Sequence, residues 1–243
     1  MKLGNFKNLV KYIFKRLKYG SDYKSVYPVL KAESSENLVI EVLGPSGAGK
    51  STLINELSKT RFFRKTYIKV KDKYHNSEAL ENWEMEFIRL AAYEMHTTWL
   101  FSKNCNQLKK KLLVDLELSK RKGAFIIDEG VAYGFNYVYQ NLSQNSKTEM
   151  YTRFKHKLII NLTTKDPQRI VNQIYKRSKK GHTHPAHVNK TDAELLQKTE
   201  ISLKQNNQKA DILRDLGCEV LTLDIDNTIS YNVQKVTKHI FDN

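Results

Sequence analysis

The sequence predicts an α/β fold, a mostly parallel β-sheet flanked by helices. Three observations lead there. Short runs with strand character at 38–43, 65–70, 124–127, 158–162 and 219–223 alternate with stretches of helical periodicity. The first of these strands runs directly into a glycine-rich turn and then a helix, over LVIEVLGPSGAGKST at 38–52. The chain has 243 residues, enough to bury one full core but cramped for a second independent domain. The expected organisation is an N-terminal helix and connector over 1–36, followed by one domain over 37–243.

Taken in order, residues 2–19 place Leu3, Phe6, Leu9, Val10, Ile13, Phe14 and Leu17 within an arc of about 140°, taking roughly 100° per residue. Lys7, Lys11, Lys15, Arg16 and Lys18 lie outside that arc, and Gly20 ends the helix. Such a basic amphipathic helix either lies on an anionic membrane surface or packs on protein, its own domain or a second copy in a homodimer. Residues 21–37 read as a polar connector. Strand 38–43 is apolar except for Glu41 and stops at Gly44 and Pro45, and a helix starts near Lys50 and fades near Lys59. The 65–70 stretch is a second strand, with Asp72 just beyond it.

A long helical region spans 77–121, with a break expected at Ser102–Asn106. Its aromatics, Trp83, Phe87, Tyr93, Trp99 and Phe101, could line an acceptor pocket, but at these spacings most are more simply core. Ala124–Ile127 is a short apolar strand delivering Asp128 and Glu129 at its C-terminal end. After the 158–162 strand, Asp166 caps a helix that has Pro167 in its first turn and runs to about Arg177. A basic loop containing Gly and Pro follows at about 177–190. Thr191 and Glu194 form a capping box opening a long helix that closes at Gly217. Strand 219–223 and a helix over 232–241 complete the chain.

Composition narrows function. Lys and Arg number 41 against 26 Asp and Glu, a formal net charge of +15, which favours anionic partners such as nucleotides, nucleic acid, acidic glycans or an anionic membrane. No aromatic-basic RNA motif or zinc finger is present, so nucleic acid is not the expected partner. Cys105 and Cys218 have neither metal-ligand nor disulfide spacing. No run of about eighteen apolar residues and no export signal is apparent, so a cytoplasmic protein is expected, peripheral on the inner face of the membrane if the N-terminal helix binds lipid.

Gly44, Gly49, Lys50 and Ser51 fit GxxxxGK[ST], the phosphate-binding loop. Over Gly44, Pro45, Ser46, Gly47, Ala48, Gly49, Lys50, Ser51 and Thr52, small residues let backbone N–H groups converge, and the helix N-terminus adds partial positive charge. Lys50 is expected to reach the β- and γ-phosphates of ATP. Ser51 and Asp128 are expected to hold Mg²⁺, a hard cation that prefers oxygen ligands.

With these residues in place, the chain resembles P-loop small-molecule kinases, above all the nucleoside and nucleotide kinase group that includes thymidylate kinase, over about 37–241. The resemblance implies a P-loop NTPase-type sheet with a lid. It is carried by the phosphate loop and by Asp166-Pro167 followed by Gln173-Ile174-Tyr175-Lys176-Arg177, similar to the helix before that family's lid, where two arginines stand four apart. Gln173 occupies the first of those positions and Arg177 the second. The resemblance implies Arg177 as a cation on the transferring phosphate, with Lys179 and Lys180 available to substitute for the arginine missing at Gln173, and Asp72 as the acid that meets the acceptor hydroxyl, Asp128 or Glu129 being alternatives. Glu129-Gly130 stands where the family carries an acid-arginine pair.

The expected activity is thus an ATP- and Mg²⁺-dependent kinase of a small-molecule acceptor, a nucleoside or nucleotide first. A sugar or envelope-glycan intermediate handled at the membrane is the alternative, and a P-loop ATPase or nucleotide switch without an acceptor a further one. Asn189-Lys190-Thr191-Asp192 matches a GTPase motif, but no buried strand precedes it. His182, His184 and His187 lack a nearby Cys or carboxylate at ligand spacing and are expected to be exposed lid residues rather than a zinc site.

Overall fold

The computed structural model describes residues 23–29, 37–60, 66–69, 81–95, 101–120, 123–127, 130–133, 136–179, 187 and 190–242. The strands are β1 (Tyr23–Val29), β2 (Asn37–Leu43), β3 (Thr66–Lys69), β4 (Gly123–Ile127), β5 (Lys157–Thr163) and β6 (Glu219–Asp224). The helices are α1 (Lys50–Leu57), α2 (Asn82–Met95), α3 (Phe101–Ser119), α4 (Asn136–Asn141), α5 (Gln144–Phe154), α6 (Pro167–Lys179), α7 (Asp192–Asp215) and α8 (Ile229–Asp242). Sheet order is β3-β1-β4-β2-β5-β6. Strands β4, β2, β5 and β6 are parallel, and β1 runs antiparallel to both β4 and β3. The four-stranded parallel sheet has β2 near its centre.

Side chains alternate across the sheet with the period of two that extended backbone imposes. Ile40, Val42, Ile126, Leu158, Ile160 and Leu162 join one core, with Leu53 and Leu57 of α1, Ile170 of α6 and Val236 of α8. Leu43 and Ile159 face the other side, into a core built by Trp83 and Phe87 of α2, Leu112 of α3, Tyr139 of α4, Phe154 of α5 and Leu213 of α7. Aromatic edges meet there: Trp83 lies 6.3 Å from Phe87 and 6.0 Å from Phe154, both steeply inclined. The expectation that Trp83 and Phe87 belong to a core holds. Tyr93 is 63% exposed and does not.

Local signals set several ends. The Thr191 hydroxyl accepts from Glu194 N–H while the Glu194 carboxylate accepts from Thr191 N–H, the reciprocal box expected from sequence. Asp166 Oδ1 accepts from Gln168 N–H and opens α6. At the end of α7, Gly217 takes φ of 87°, Cys218 N–H donates to Leu213 and Gly217 N–H to Arg214, which satisfies carbonyls the helix leaves without partners.

Three expectations need correction or extension. The stretch read as a connector contains β1, so part of it belongs to the sheet. Ser102–Asn106 lies inside α3, in its first turns, where Ser and Asn cost a helix little. Helices α4 and α5 occupy a region for which the sequence suggested no element. The amphipathic stretch 2–19 lies outside the described residues. No described helix is long and apolar enough to cross a membrane.

Candidate functional site

Strand β2 ends at Leu43 in the middle of the parallel sheet, and the chain turns over the sheet edge through Gly44–Gly49 into α1. Positive φ angles at Gly44 (144°), Gly47 (91°) and Gly49 (89°) bend the loop back on itself, which side chains with a Cβ resist. The three glycines do different work. At Gly44 a Cβ would stand 3.0 Å from Leu162 Cβ of β5, and at Gly47 one would stand 2.9 Å from Ile174 Cγ1 and 3.1 Å from Ile170 Cγ2 of α6. At Gly49 it would meet nothing within 4 Å. The loop is therefore wedged against β5 and seated on α6, while its last glycine faces open space at the N-terminus of α1. Gly47→Ala should cost about 3 kcal/mol, backbone strain plus overpacking, and Gly49→Ala about 1 kcal/mol from strain alone. Urea melts of the two variants check this; equal losses would contradict the wedge.

Lys50, first residue of α1, folds its ammonium into the loop, donating to the Gly44 carbonyl at 2.7 Å and the Pro45 carbonyl at 3.0 Å. The same Nζ sits 5.1 Å from the Tyr133 ring centroid, and Lys111 Nζ of α3 sits 4.9 Å from it. Two cations thus share one aromatic ring at the loop, a cation–π arrangement. Neither Tyr133 nor Lys111 was a sequence candidate. Tyr133 is positioned by Glu41: the Glu41 carboxylate accepts from Ala132 N–H at 2.7 Å, and a Cβ at Gly130 would overlap that carboxylate. The only signal for this was the acid interrupting an apolar strand.

Glu41 also pairs with Lys157 at 2.7 Å, and Lys157 pairs with Asp115; all three are almost fully buried. Burial pulls the Lys157 ammonium down, but Asp115 and Glu41 outweigh it and hold its pKa well above 10.5. Arg153 extends the network to Glu84 at 2.8 Å and to Glu81.

On the other side of the loop lies a pocket of about 170 Å³, lined by Gly49, Thr52, Arg169, Gln173, Asn227 and Asn232 among others. Gln173 thus faces the loop's outer side, with Arg169 one turn earlier on the same face of α6. Arg169 pairs with Asp226 at 3.2 Å. Arg177, one turn beyond Gln173, is exposed, and among the described residues no hydrogen bond or ion pair joins it to the loop. From the lid stretch, half-buried His187 places Nε2 3.0 Å from Ser46 Oγ, where sequence had put an exposed histidine.

No protein-family model matches the chain, and no curated protein sequence matches it. The functional reading rests on the site itself.

The structure thus gathers Gly44–Thr52, Lys50 and the α6 wall, with Ser51 exposed in the first turn of α1. Asp72, Asp128, Glu129 and Lys180 lie outside the described residues. Among the described residues no group of three His, Cys, Asp or Glu is placed to hold a metal ion. Chemically, the loop offers an open backbone cradle at a helix N-terminus, one ammonium inside it and one hydroxyl at its rim, donors suited to a polyphosphate.

Proposed function

We propose that the chain is an ATP- and Mg²⁺-dependent phosphotransferase acting on a small-molecule acceptor, a nucleoside or nucleotide before a sugar or glycan intermediate. The observation that supports it is the Lys50 ammonium held inside a three-glycine loop at the C-terminal end of a central parallel strand, the edge where open α/β sheets take ligands.

The loop's own groups fit a triphosphate. Space over Gly49 and the N-terminal N–H groups of α1, which have no partner within the helix, form a cradle for phosphate oxygens. Lys50 exchanges its bonds to the Gly44 and Pro45 carbonyls for phosphate oxygens and stabilises charge as it moves from one oxygen to the next. Ser51 offers a hydroxyl, and Asp128, one residue past β4, offers a carboxylate, a hard oxygen set suited to Mg²⁺. When bound, Mg²⁺ neutralises phosphate charge and orients the polyphosphate. The pocket bounded by Thr52, Arg169 and Gln173 receives the nucleoside end of ATP. Arg177 and Lys180 close over the phosphates from the lid, and Asp72, or else Asp128 or Glu129, accepts the proton of the acceptor hydroxyl.

Asp128→Asn tests the metal assignment, since it removes a charge and keeps shape. Expected are ATP-analogue binding within a few-fold of the parent, a Mg²⁺ requirement shifted to higher concentration, and a maximal rate lower by about 10- to 100-fold. An unchanged Mg²⁺ profile and maximum would assign Asp128 to structure alone.

A further inference from the structure

A second cleft, of about 350 Å³, lies away from the glycine loop between the C-terminal end of α2, α4 and the later half of α7. Glu94, Asn136, Tyr137, Gln205, Gln208 and Lys209 stand on its walls. Two of them are unusual. Lys209 is only 4% exposed, beside the apolar Ala210 and Leu213 of its own helix. Burial pulls its pKa down to about 8, which attraction to Glu94 and Glu41 only partly offsets. The Asn136 amide oxygen is buried and has no hydrogen-bond partner among the described residues. Burying an amine and leaving an acceptor unmatched are both costly, and an apolar residue at either position would remove the cost. The unmatched amide oxygen is an acceptor that a ligand can satisfy, and the buried ammonium lines the same cleft.

The rim is built differently. Gln205 and Gln208 are exposed on α7. Tyr137, 37% exposed, lies 5.4 Å from Tyr93 with its ring inclined by 31°. The Glu94 carboxylate accepts the N–H groups of Tyr137 and Val138, which fastens the start of α4, and with it the aromatic pair, to α2.

This chemistry selects against an anion, because one ammonium is opposed by one carboxylate and no arginine lines the walls. It suits hydroxyl groups. A primary amide presents donors and an acceptor side by side, as a pair of neighbouring hydroxyls does in return, and four amides (Asn136, Gln140, Gln205 and Gln208), a carboxylate and an amine converge here. The exposed tyrosine face supplies an apolar platform of the sort that the C–H face of a sugar ring can cover. We propose that this cleft binds a neutral polyhydroxylated ligand, a saccharide, with Asn136, Gln205, Gln208 and Lys209 on its hydroxyls and Tyr137 against its ring. The site stands whether or not the glycine loop transfers phosphate.

Saturation-transfer NMR on the full chain without ATP tests it, using glucose, galactose, N-acetylglucosamine and cellobiose as probes, with thymidine and uridine for comparison. At least one saccharide should bind, with affinity at least tenfold weaker in the double variant Gln205→Ala, Gln208→Ala. Both positions are exposed, so the fold is kept, and a melting curve verifies it. Lys209→Met should abolish binding while leaving the protein folded or stabilised. Three results would each overturn the proposal: no saccharide binds, binding is indifferent to the glutamine pair, or the nucleosides alone bind in this cleft.

Discussion

Lys50→Ala is expected to lower phosphoryl transfer by about two to three orders of magnitude, the scale of losing one positioned donor to developing charge. The structure also requires a smaller cost in stability. The ammonium donates to two loop carbonyls and sits over Tyr133, so its removal frees the loop from three partners at once. Lys50 is half-exposed, and water can replace those bonds, so the loss should be about 1 kcal/mol. Lys50→Arg separates the two roles. It keeps the charge near the carbonyls but carries a planar fork where a compact point charge is needed, so melting should recover while turnover does not. Turnover within a few-fold of the parent in folded Lys50→Ala would show that the loop takes no part in transfer.

The largest loss of stability is expected from Lys157→Met. Lys157, Glu41 and Asp115 are each no more than about 2% exposed. Deleting the cation leaves two carboxylates buried together, and breaking a buried pair in this way costs about 3–5 kcal/mol, a large share of the roughly 5–15 kcal/mol that holds a domain folded. Removing all three charges in Glu41→Gln, Asp115→Asn, Lys157→Met should cost less than removing Lys157 alone, because no unpaired ion remains. Urea denaturation of both variants measures this. A Lys157→Met variant within about 0.5 kcal/mol of the parent would mean that the three groups are solvated. Sign follows from the raised pKa: stabilisation by Lys157 is complete below 10.5, hence throughout neutral pH, and is lost only as pH rises through the higher folded value.

What sequence made legible was local. The β2 strand, glycine spacing, helix start at Lys50, Thr191–Glu194 box and Gly217 stop are each set by residues within a few positions of one another. Strand β1 was not legible because Lys, Ser and Pro interrupt its pattern. Its pairing with β3 covers Tyr23–Val26, so at Pro28 the strand has only β4 beside it, where a missing N–H is tolerated. The ionic network was hidden for a different reason. Glu41 and Lys157 are 116 positions apart, Asp115 and Lys157 are 42, and no periodicity announces a pairing at that range. The shared ring of Tyr133 between Lys50 and Lys111, and the contact of His187 with Ser46, are likewise products of tertiary packing. Gln173 stands where the family resemblance places an arginine, and Arg169, one turn earlier on the same face, is the arginine that lines the pocket; the family spacing, which runs from 173 to 177, gives no signal for it.

Incubating the purified full chain with ATP and Mg²⁺, with and without nucleosides, nucleotides and sugars, and following both ADP release and acceptor mass decides whether this is a kinase. Phosphotransfer predicts that ADP forms rapidly only with an acceptor and that the acceptor gains one phosphoryl group per ADP. ADP release at the same rate without any acceptor, or no ATP consumption with the whole panel, would contradict it.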